Sequence, residues 1–245
     1  MISKSKLKEM SAYRQQKRCD EEGVFVVEGP KMCAEALLSG FEIRVVCAAA
    51  EWLEAHRVSA KEVYEVGAAE LERLSMMKSP NQVWMLLSRP ERVPLPATRL
   101  PLTLALDRLQ DPGNMGTIMR TADWYGVRKI VCSRDTVSCY SPKVVQASMG
   151  AVFRTEVEYV ELPQWLRACG LPVYGASLQG RPLQEVVCER GAAVLLIGNE
   201  SRGISAEAMA AVDHPVKIPN LGGTAESLNA AVAAGILLNW MAADK

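Results

Sequence analysis

The chain has 245 residues, of which 49% are hydrophobic, so its length and composition allow one large or two small domains with an ordinary core. Its seven cysteines form no Cys-x-x-Cys pair and it has two histidines, so we expect buried thiols, a cytoplasmic protein and no metal site. No apolar run approaches the roughly 20 residues of a membrane span, and the basic amino terminus lacks the apolar stretch of a signal peptide. We therefore expect a soluble protein with no membrane partner.

The net charge is zero, but the basic residues are unevenly distributed. Residues 1–18 carry six basic side chains against one acidic side chain, whereas residues 19–96 carry an acidic excess. A basic arm on a neutral body is suited to RNA phosphate contacts, although a solvated helix face has the same pattern. The predicted RNA-binding residues of this arm are Lys4, Lys6, Lys8, Arg14, Lys17 and Arg18.

The residues before position 88 predict a small α/β domain. A basic helix is predicted over residues 5–22 and a strand over residues 24–27. The next helix covers residues 31–39 and is closed by Gly40 as its carboxyl-terminal cap. Further strands are predicted over residues 43–47, 63–66 and 83–87, with a short helix over residues 68–74.

Three prolines within residues 90–96 oppose both a helix and a central strand, so we predict domains over residues 1–95 and 96–245. In the second domain, strand-like runs alternate with helical segments, which predicts a mostly parallel sheet covered on both faces. The last helix, residues 227–242, is apolar nearly all round and should be buried, within the monomer or in a dimer. Strands are predicted over residues 102–106, 129–132, 156–159, 172–177, 194–197 and 216–218, and earlier helices over residues 115–125 and 143–152.

Three short blocks of polar residues and glycines lie along the second domain. They read NMGTIMR at 114–120, GNESRGIS at 198–205 and SLNAA at 227–231. The first two follow strand-like runs, and the third follows the last strand after a glycine-containing turn. Such residues at the carboxyl ends of strands are where α/β sheets build ligand sites. No G-x-G-x-x-G follows a predicted strand, which argues against a dinucleotide-binding oxidoreductase.

The order of these blocks resembles the three motifs of the SpoU (TrmH-type) RNA ribose methyltransferases, within the SPOUT superfamily. The resemblance runs from about residue 102 to the carboxyl terminus, and FVVEGPK at 25–31 looks like part of the substrate-binding domain that many of these enzymes carry. The sequence departs from the family pattern at Asn220, where methionine is common, and at Ala230 and Ala231, where Val-Ser is more frequent. These are neighbours of motif residues, so they bear on cofactor packing rather than on the reaction.

The resemblance implies an enzyme that transfers a methyl group from S-adenosylmethionine to a ribose 2′-hydroxyl of ribosomal RNA. It also implies a deep trefoil knot and a homodimer formed through the second domain. A tRNA 2′-O-methyltransferase and a catalytically inactive RNA-binding ribosome assembly factor stay open as alternatives. By the resemblance, the catalytic residues are Arg120, Asn114, Glu200, Ser227 and Asn229. The predicted cofactor-binding residues are Ser177, Gly198, Asn199, Ile218 and Leu228.

Simple geometry and energetics refine four of these assignments. Six residues of helix between Asn114 and Arg120 correspond to a rotation of about 240°, so Asn114 is predicted in the loop before the helix. Neutralising an arginine at pH 7 costs on the order of 8 kcal/mol, which leaves Arg120 open as general base or as clamp. Glu200 is either an acid at a helix amino terminus or a partner for an arginine. Gly198 is expected to let the cofactor approach the backbone.

Overall fold

The computed structural model describes residues 2–79, 81–91, 97, 101–188 and 191–243. The chain divides into two compact units. The first contains Met1–Arg92 and Tyr140–Phe153, and the second contains Val93–Cys139 and Arg154–Lys245. The domain boundary predicted after residue 95 lies outside the described residues. In the described part of the chain, no helix is long and apolar enough to cross a membrane.

The first unit is built on a mixed sheet, which confirms the predicted α/β domain. Its strands are β1 (Val24–Glu28), β2 (Ile43–Ala48), β3 (Glu62–Glu65) and β4 (Val83–Ser88), in the order β1-β4-β2-β3. Only the β2–β3 pair is parallel. The helices are α1 (Lys4–Ser11), α2 (Gln16–Glu21), α3 (Pro30–Leu38), α4 (Ala50–Ala55) and α5 (Ala68–Leu74). Helix α4 is absent from the sequence prediction.

The single basic helix predicted over residues 5–22 is wrong, because the chain breaks between α1 and α2. A short 3-10 turn follows α1, and Gln15 then adopts an extended conformation. Leu7 and Cys19 both belong to the core beneath the sheet. In one straight helix, the side chains of Leu7 and Cys19, which are twelve residues apart, would point in directions about 120° apart. The break lets both halves of the segment bury their apolar residues in the same core.

The second unit is a parallel sheet with the strand order β10-β8-β9-β5-β6-β7, and it confirms the predicted α/β fold. Strands β5, β6 and β9 are buried along their whole length, as expected for central strands covered on both faces. The trefoil knot stays a prediction. The strands are β5 (Leu102–Leu106), β6 (Lys129–Ser133), β7 (Glu156–Val160), β8 (Val173–Pro182), β9 (Ala193–Ile197) and β10 (His214–Lys217). The helices that follow β5, β6, β7, β9 and β10 are α6 (Pro112–Trp124), α7 (Pro142–Ser148), α8 (Leu162–Ala168), α9 (Ala206–Met209) and α10 (Ala230–Ala243).

Helix α7 and the 3-10 turn after it belong to the first unit. They cover the sheet face opposite the main core, where the ring of Phe25 lies 4.7 Å from Tyr140 and 6.4 Å from Phe153. The helix predicted over residues 143–152 is too long, because Met149 and Gly150 have positive φ angles of 48° and 89°. The φ of 89° at Gly150 is one that side chains rarely adopt, so glycine is favoured where the segment turns.

Candidate functional site

The central strands bring two of the three sequence blocks together. Leu106 of β5 pairs with Ile197 of β9, and the Asp107 N–H donates to the Ile197 carbonyl over 2.9 Å. The loops that leave these parallel strands therefore start side by side at the carboxyl edge of the sheet. This edge is where α/β folds place their ligand sites.

Asn199 shapes the loop that follows β9. Its main-chain N–H and carbonyl exchange hydrogen bonds with Gly203 over 3.0 and 2.9 Å. Its side-chain Oδ1 accepts from the N–H groups of Ser201 and Arg202, and its Nδ2 donates to the Arg108 carbonyl over 2.7 Å. These are the contacts of a residue that holds the loop, and the contact of Asn199 with a cofactor stays a prediction.

Gly198 is required by the same loop. A Cβ atom there would overlap main-chain atoms of Gly203 and Ile204. A close approach to the Gly198 main chain was predicted for the cofactor. In the structure, the main chain of Gly203 and Ile204 makes this approach. Binding of a cofactor to the Gly198 main chain stays a prediction.

Glu200 and Asn114 together join all three blocks. The Glu200 carboxylate accepts hydrogen bonds from the Gln110 N–H at 3.3 Å, the Asp111 N–H at 3.1 Å and Asn114 Nδ2 at 3.1 Å. Asn114 Oδ1 in turn accepts from Asn229 Nδ2 over 2.8 Å. An unbroken chain of hydrogen bonds thus connects β9, the start of α6 and the start of α10.

The surroundings of Glu200 decide between its two predicted roles. Its donors among the described residues are main-chain N–H groups and an asparagine amide, and none is an arginine. Burial raises the pKa of Glu200, but hydrogen bonds from Asn114 and from the main chain outweigh burial and lower the pKa overall. Glu200 is an ionised acid at the amino terminus of α6, where the helix dipole also favours negative charge.

Asn114 lies in the first turn of α6, so its predicted place in the preceding loop is wrong. The helix begins at Pro112, and the Asp111 side chain caps it by accepting from the Asn114 N–H over 2.7 Å. An aspartate before a proline at the first helical position is a helix-start signal. The angular argument still holds, because Asn114 and Arg120 lie on different faces of α6.

Helix α6 packs along α10 with its Asn114 face. A Cβ atom at Gly235 would lie 3.8 Å from Thr121, and the Tyr125 hydroxyl donates to Asn239 over 3.1 Å. Helix α10 begins at Ala230 instead of the predicted residue 227. Asn229 Oδ1 accepts from the N–H of the second helical residue over 2.9 Å, so Asn229 caps α10 with its oxygen and holds Asn114 with its nitrogen.

Arg120 and Ser227 differ from the other predicted catalytic residues. Both are exposed, and neither side chain makes a hydrogen bond or ion pair with a residue that the structure describes. The structure thus joins Asn114, Glu200 and Asn229 and leaves the other two side chains available to a ligand.

The other three predicted cofactor-binding residues lie on two segments beside the edge strand β10. Ser177 lies within β8, which continues to Pro182 where a loop was expected after residue 177. The pairing of β8 with β10 skips from Gly175 to Arg181, so residues 176–180 are unpaired with β10. Ile218 directly follows β10 and is half-buried, whereas Leu228 is exposed just before α10.

The sequence profile of the SpoU rRNA Methylase family matches residues 101–239. The chain belongs to the SpoU rRNA methylase family. A second profile, the MRM3-like substrate binding domain, matches residues 4–84. The chain is 31% identical to the 23S rRNA (guanosine(2553)-2'-O)-methyltransferase RlmP of Bacillus subtilis, over 95% of this chain and 94% of that protein.

Two solved structures extend the comparison. One is a putative RNA methyltransferase of the TrmH family from Porphyromonas gingivalis, with 36% identity, a TM-score of 0.89 and coverage of 98% of both chains. The other is the AdoMet-bound rRNA methyltransferase from Sinorhizobium meliloti, with 30% identity, a TM-score of 0.84 and coverage of 98% of this chain and 96% of that chain.

The 219–228 loop of this SpoU domain suits S-adenosylmethionine chemically. Its side chains from Asn220 onward are exposed. The main-chain groups flanking it at Ile218 and Leu228 can bind the neutral edge of an adenine ring without presenting charge. Glu226 is the one ionisable residue of the loop, and it is acidic, which is compatible with a cationic sulfonium nearby.

The predicted RNA-binding arm has two kinds of basic residue. Lys6 is held by Glu62 at 3.0 Å and by Glu9 at 3.4 Å, and Arg18 pairs with Glu22 at 3.1 Å. Both therefore stabilise the fold of the first unit. Lys17 and Arg14 make weaker exposed contacts, at 3.9 Å to Glu21 and 3.4 Å to the Arg73 carbonyl. Lys4 and Lys8 are exposed and make no such contact within the described residues.

Sequence reasoning missed two acids that shape this SpoU site. Asp107 is buried at the end of β5 and accepts from the Ser205 N–H over 2.6 Å, which ties the β5 loop to the far end of the β9 loop. Asp111 caps α6. The Asp111-Pro112 pair was a readable signal for the cap, whereas the partner of Asp107 lies 98 residues away and left no local pattern.

Proposed function

We propose that this chain is an S-adenosylmethionine-dependent methyltransferase that acts on a ribose 2′-hydroxyl of ribosomal RNA. The observation that carries the proposal is the hydrogen-bonded chain Glu200–Asn114–Asn229, which lies at the carboxyl edge of the sheet and leaves Arg120 free. Three separate segments of the sequence must meet to form it. A fold that needed these residues only as local caps would not require their mutual contacts.

When bound, S-adenosylmethionine supplies a methyl group that is already activated on a sulfonium. The protein then has to hold the ribose hydroxyl in line with it, and orientation of this kind contributes up to about 10 kcal/mol. Glu200 fixes the start of α6, and Asn229 fixes the start of α10. The segment that leads into α10 contains Ser227, which we assign to positioning of the target nucleotide.

Arg120 carries the positive charge of the proposed site. Its guanidinium is exposed and unpaired among the described residues, so it can bind the target phosphate or ribose without first breaking an ion pair. Neutralising an arginine at pH 7 costs on the order of 8 kcal/mol, which counts against a general base. We therefore favour the clamp over the general base.

We infer ribosomal RNA as the substrate from the first unit. The substrate-binding profile that it matches is named after a ribosomal RNA methyltransferase relative, and the Bacillus subtilis relative named for 23S rRNA aligns over nearly the whole chain. The exposed Lys4 and Lys8 supply cations for the phosphate backbone. Unstacked nucleotides in loops or bulges expose sugar and base together, which makes them the expected target.

We also propose that the protein is a homodimer formed through α10. Val232 and Ile236 lie four residues apart on α10 and so share one face, and both are exposed, as is Leu228 just before the helix. Trp124 of α6, the helix that packs along α10, is 84% exposed. Large exposed apolar side chains on two neighbouring helices are typical of an association site. A second copy of the same surface would bury them.

The test is methyl transfer from labelled S-adenosylmethionine to 23S and 16S rRNA fragments and to tRNA transcripts, followed by mapping of 2′-O-methyl groups. We expect one methylated ribose in an rRNA fragment and loss of the same modification when the gene is deleted. Methylation of tRNA alone would replace the substrate assignment. RNA binding without transfer under any condition would make the protein an assembly factor and refute the enzymatic proposal.

A further inference from the structure

The 219–228 loop connects β10 to α10 and receives little support from burial. Residues 220–229 are all exposed. Within the described residues, the hydrogen bonds of the 219–228 loop all involve the side chain of Asn220. The shape of this loop therefore depends on a single side chain.

Asn220 uses both ends of its amide on the loop. Its Oδ1 accepts from the N–H groups of Gly222 at 2.9 Å and Gly223 at 2.7 Å. Its Nδ2 donates to the carbonyls of Gly223 at 3.0 Å and Ala225 at 3.4 Å. Gly222 has a φ of 101°, which suits glycine and few other residues. Two adjacent glycines would otherwise make this loop one of the least restricted parts of the chain.

We propose that Asn220 is a positioning residue that forms the 219–228 loop before S-adenosylmethionine binds. The inference rests on the proposed function. A loop that is already ordered loses less conformational entropy when the ligand binds, so the ligand binds more tightly. Because the amide oxygen and nitrogen of Asn220 are engaged by the loop, the residue acts through Gly222, Gly223 and Ala225 rather than by touching the ligand. Methionine, common at this position in the family, can make none of these hydrogen bonds.

Two substitutions separate the two halves of the amide. Asn220→Met removes all four hydrogen bonds at similar side-chain length. Asn220→Asp keeps an oxygen acceptor for the N–H groups of Gly222 and Gly223 but loses both donated bonds. The matched controls are Asn81→Met and Asn81→Asp, because Asn81 is exposed and its side chain makes no hydrogen bond within the described residues.

The first measurement is hydrogen exchange of the loop amides in the ligand-free, full-length protein on the millisecond timescale. Asn220→Met should abolish the protection of the Gly222 and Gly223 amides, and Asn220→Asp should retain it. The second is calorimetric titration with S-adenosylmethionine in the absence of RNA. Asn220→Met should raise the dissociation constant about tenfold, or about 1.4 kcal/mol, and Asn220→Asp should lie between it and the wild type. Both Asn81 variants should match the wild type.

The outcomes distinguish this inference from the proposed function. A wild-type protein that takes up no S-adenosylmethionine would overturn both. If the wild type binds S-adenosylmethionine and the dissociation constant of Asn220→Met lies within about twofold of the wild-type value, the role of Asn220 alone is overturned, whatever the amide exchange shows. Unchanged protection in Asn220→Met would do the same, because the loop would then keep its shape without the side chain.

Discussion

Exchanging the hydrogen-bonding groups of Asn114 and Glu200 tests whether their contact organises the site. Asn114 Nδ2 donates to Glu200 Oε1 over 3.1 Å. In Asn114→Asp an oxygen replaces the donating nitrogen, so two carboxylates face each other. In the double variant with Glu200→Gln, the glutamine amide can donate to the new aspartate, although the oxygen that it replaces no longer accepts from the Asp111 N–H. The contact then returns with donor and acceptor reversed, while the oxygen that accepts from Asn229 is kept.

The distance between the two side-chain atoms sets the size of the expected destabilisation. Two unit charges 3.1 Å apart repel by about 1.3 kcal/mol at the dielectric constant of water and by about 5 kcal/mol at an effective value near 20. Glu200 is partly exposed, so the lower end applies, and the lost charge-assisted hydrogen bond adds about 1.5 kcal/mol. We expect Asn114→Asp to lower the free energy of unfolding by about 3 kcal/mol and Glu200→Gln by about 1 kcal/mol. The double variant should lose about 1.5 kcal/mol, well below the sum.

The pH dependence gives a second signature. The wild-type pKa of Glu200 is lowered in the folded state, so its stabilisation is present above the pKa of the unfolded chain and is lost as pH falls through the folded value. In Asn114→Asp, each carboxylate raises the pKa of the other. The folded variant then binds more protons than its unfolded chain, and its deficit grows as pH rises from about 4 to about 7. The stability deficit of the double variant should not grow with pH in this way.

Urea unfolding at about pH 4.5 and pH 7.5 measures both effects, with Asn81→Asp as a charge-matched surface control that should stay within about 0.5 kcal/mol of the wild type. Single-turnover methyl transfer on the same proteins measures the site. A double variant no more stable than Asn114→Asp, or a deficit independent of pH, would refute the reasoning. Recovered stability without recovered transfer would mean that the Asn114 amide contacts the substrate itself.

Three further predictions concern exposed residues. Arg120→Ala should keep the fold and the S-adenosylmethionine affinity but lower methyl transfer by orders of magnitude. If Arg120 is a clamp, Arg120→Lys should recover part of the methyl transfer at neutral pH. A recovery that rises steeply with pH would instead indicate a general base. Ile236→Asp should convert a dimer to a monomer in sedimentation at micromolar concentration, while the exposed control Leu38→Asp should not, and a monomeric wild type would contradict the dimer. Replacing Lys4 and Lys8 with alanine should weaken RNA binding across sequences and flatten its salt dependence, and an unchanged slope would return both to a solvated face.

The strands could be predicted from the sequence because strands that are buried on both faces consist of continuous apolar runs. Strands β5 and β9 are examples, and their predicted bounds lie within one residue of the observed ones. Helix ends were harder, because they depend on single side chains. Asp111 starts α6 three residues before the predicted helix, and Asn229 delays α10 to Ala230. The break at Gln15 depends on the shape of the core, which no local pattern records.

The site could be predicted as a set of residues but not as a set of contacts. The blocks were identified by their order and by their place after strands. The hydrogen bonds that join them span 86 residues between Asn114 and Glu200 and 115 residues between Asn114 and Asn229. Such pairs are fixed by strand order and helix packing. The alternative roles of Glu200 could therefore be separated only after the carboxylate was seen at the start of α6.

The contacts divide the five predicted catalytic residues into two kinds. Asn114 binds both Glu200 and Asn229, whereas Arg120 and Ser227 leave their side chains to a ligand. Removing a member of the first kind leaves its partners without their hydrogen bonds, so stability and methyl transfer should fall together. Removing a member of the second kind should lower transfer while leaving the free energy of unfolding within about 0.5 kcal/mol of the wild type. If Glu200→Ala lost transfer at full stability, the carboxylate would have to act on the substrate, and the scaffold role assigned to it here would be wrong.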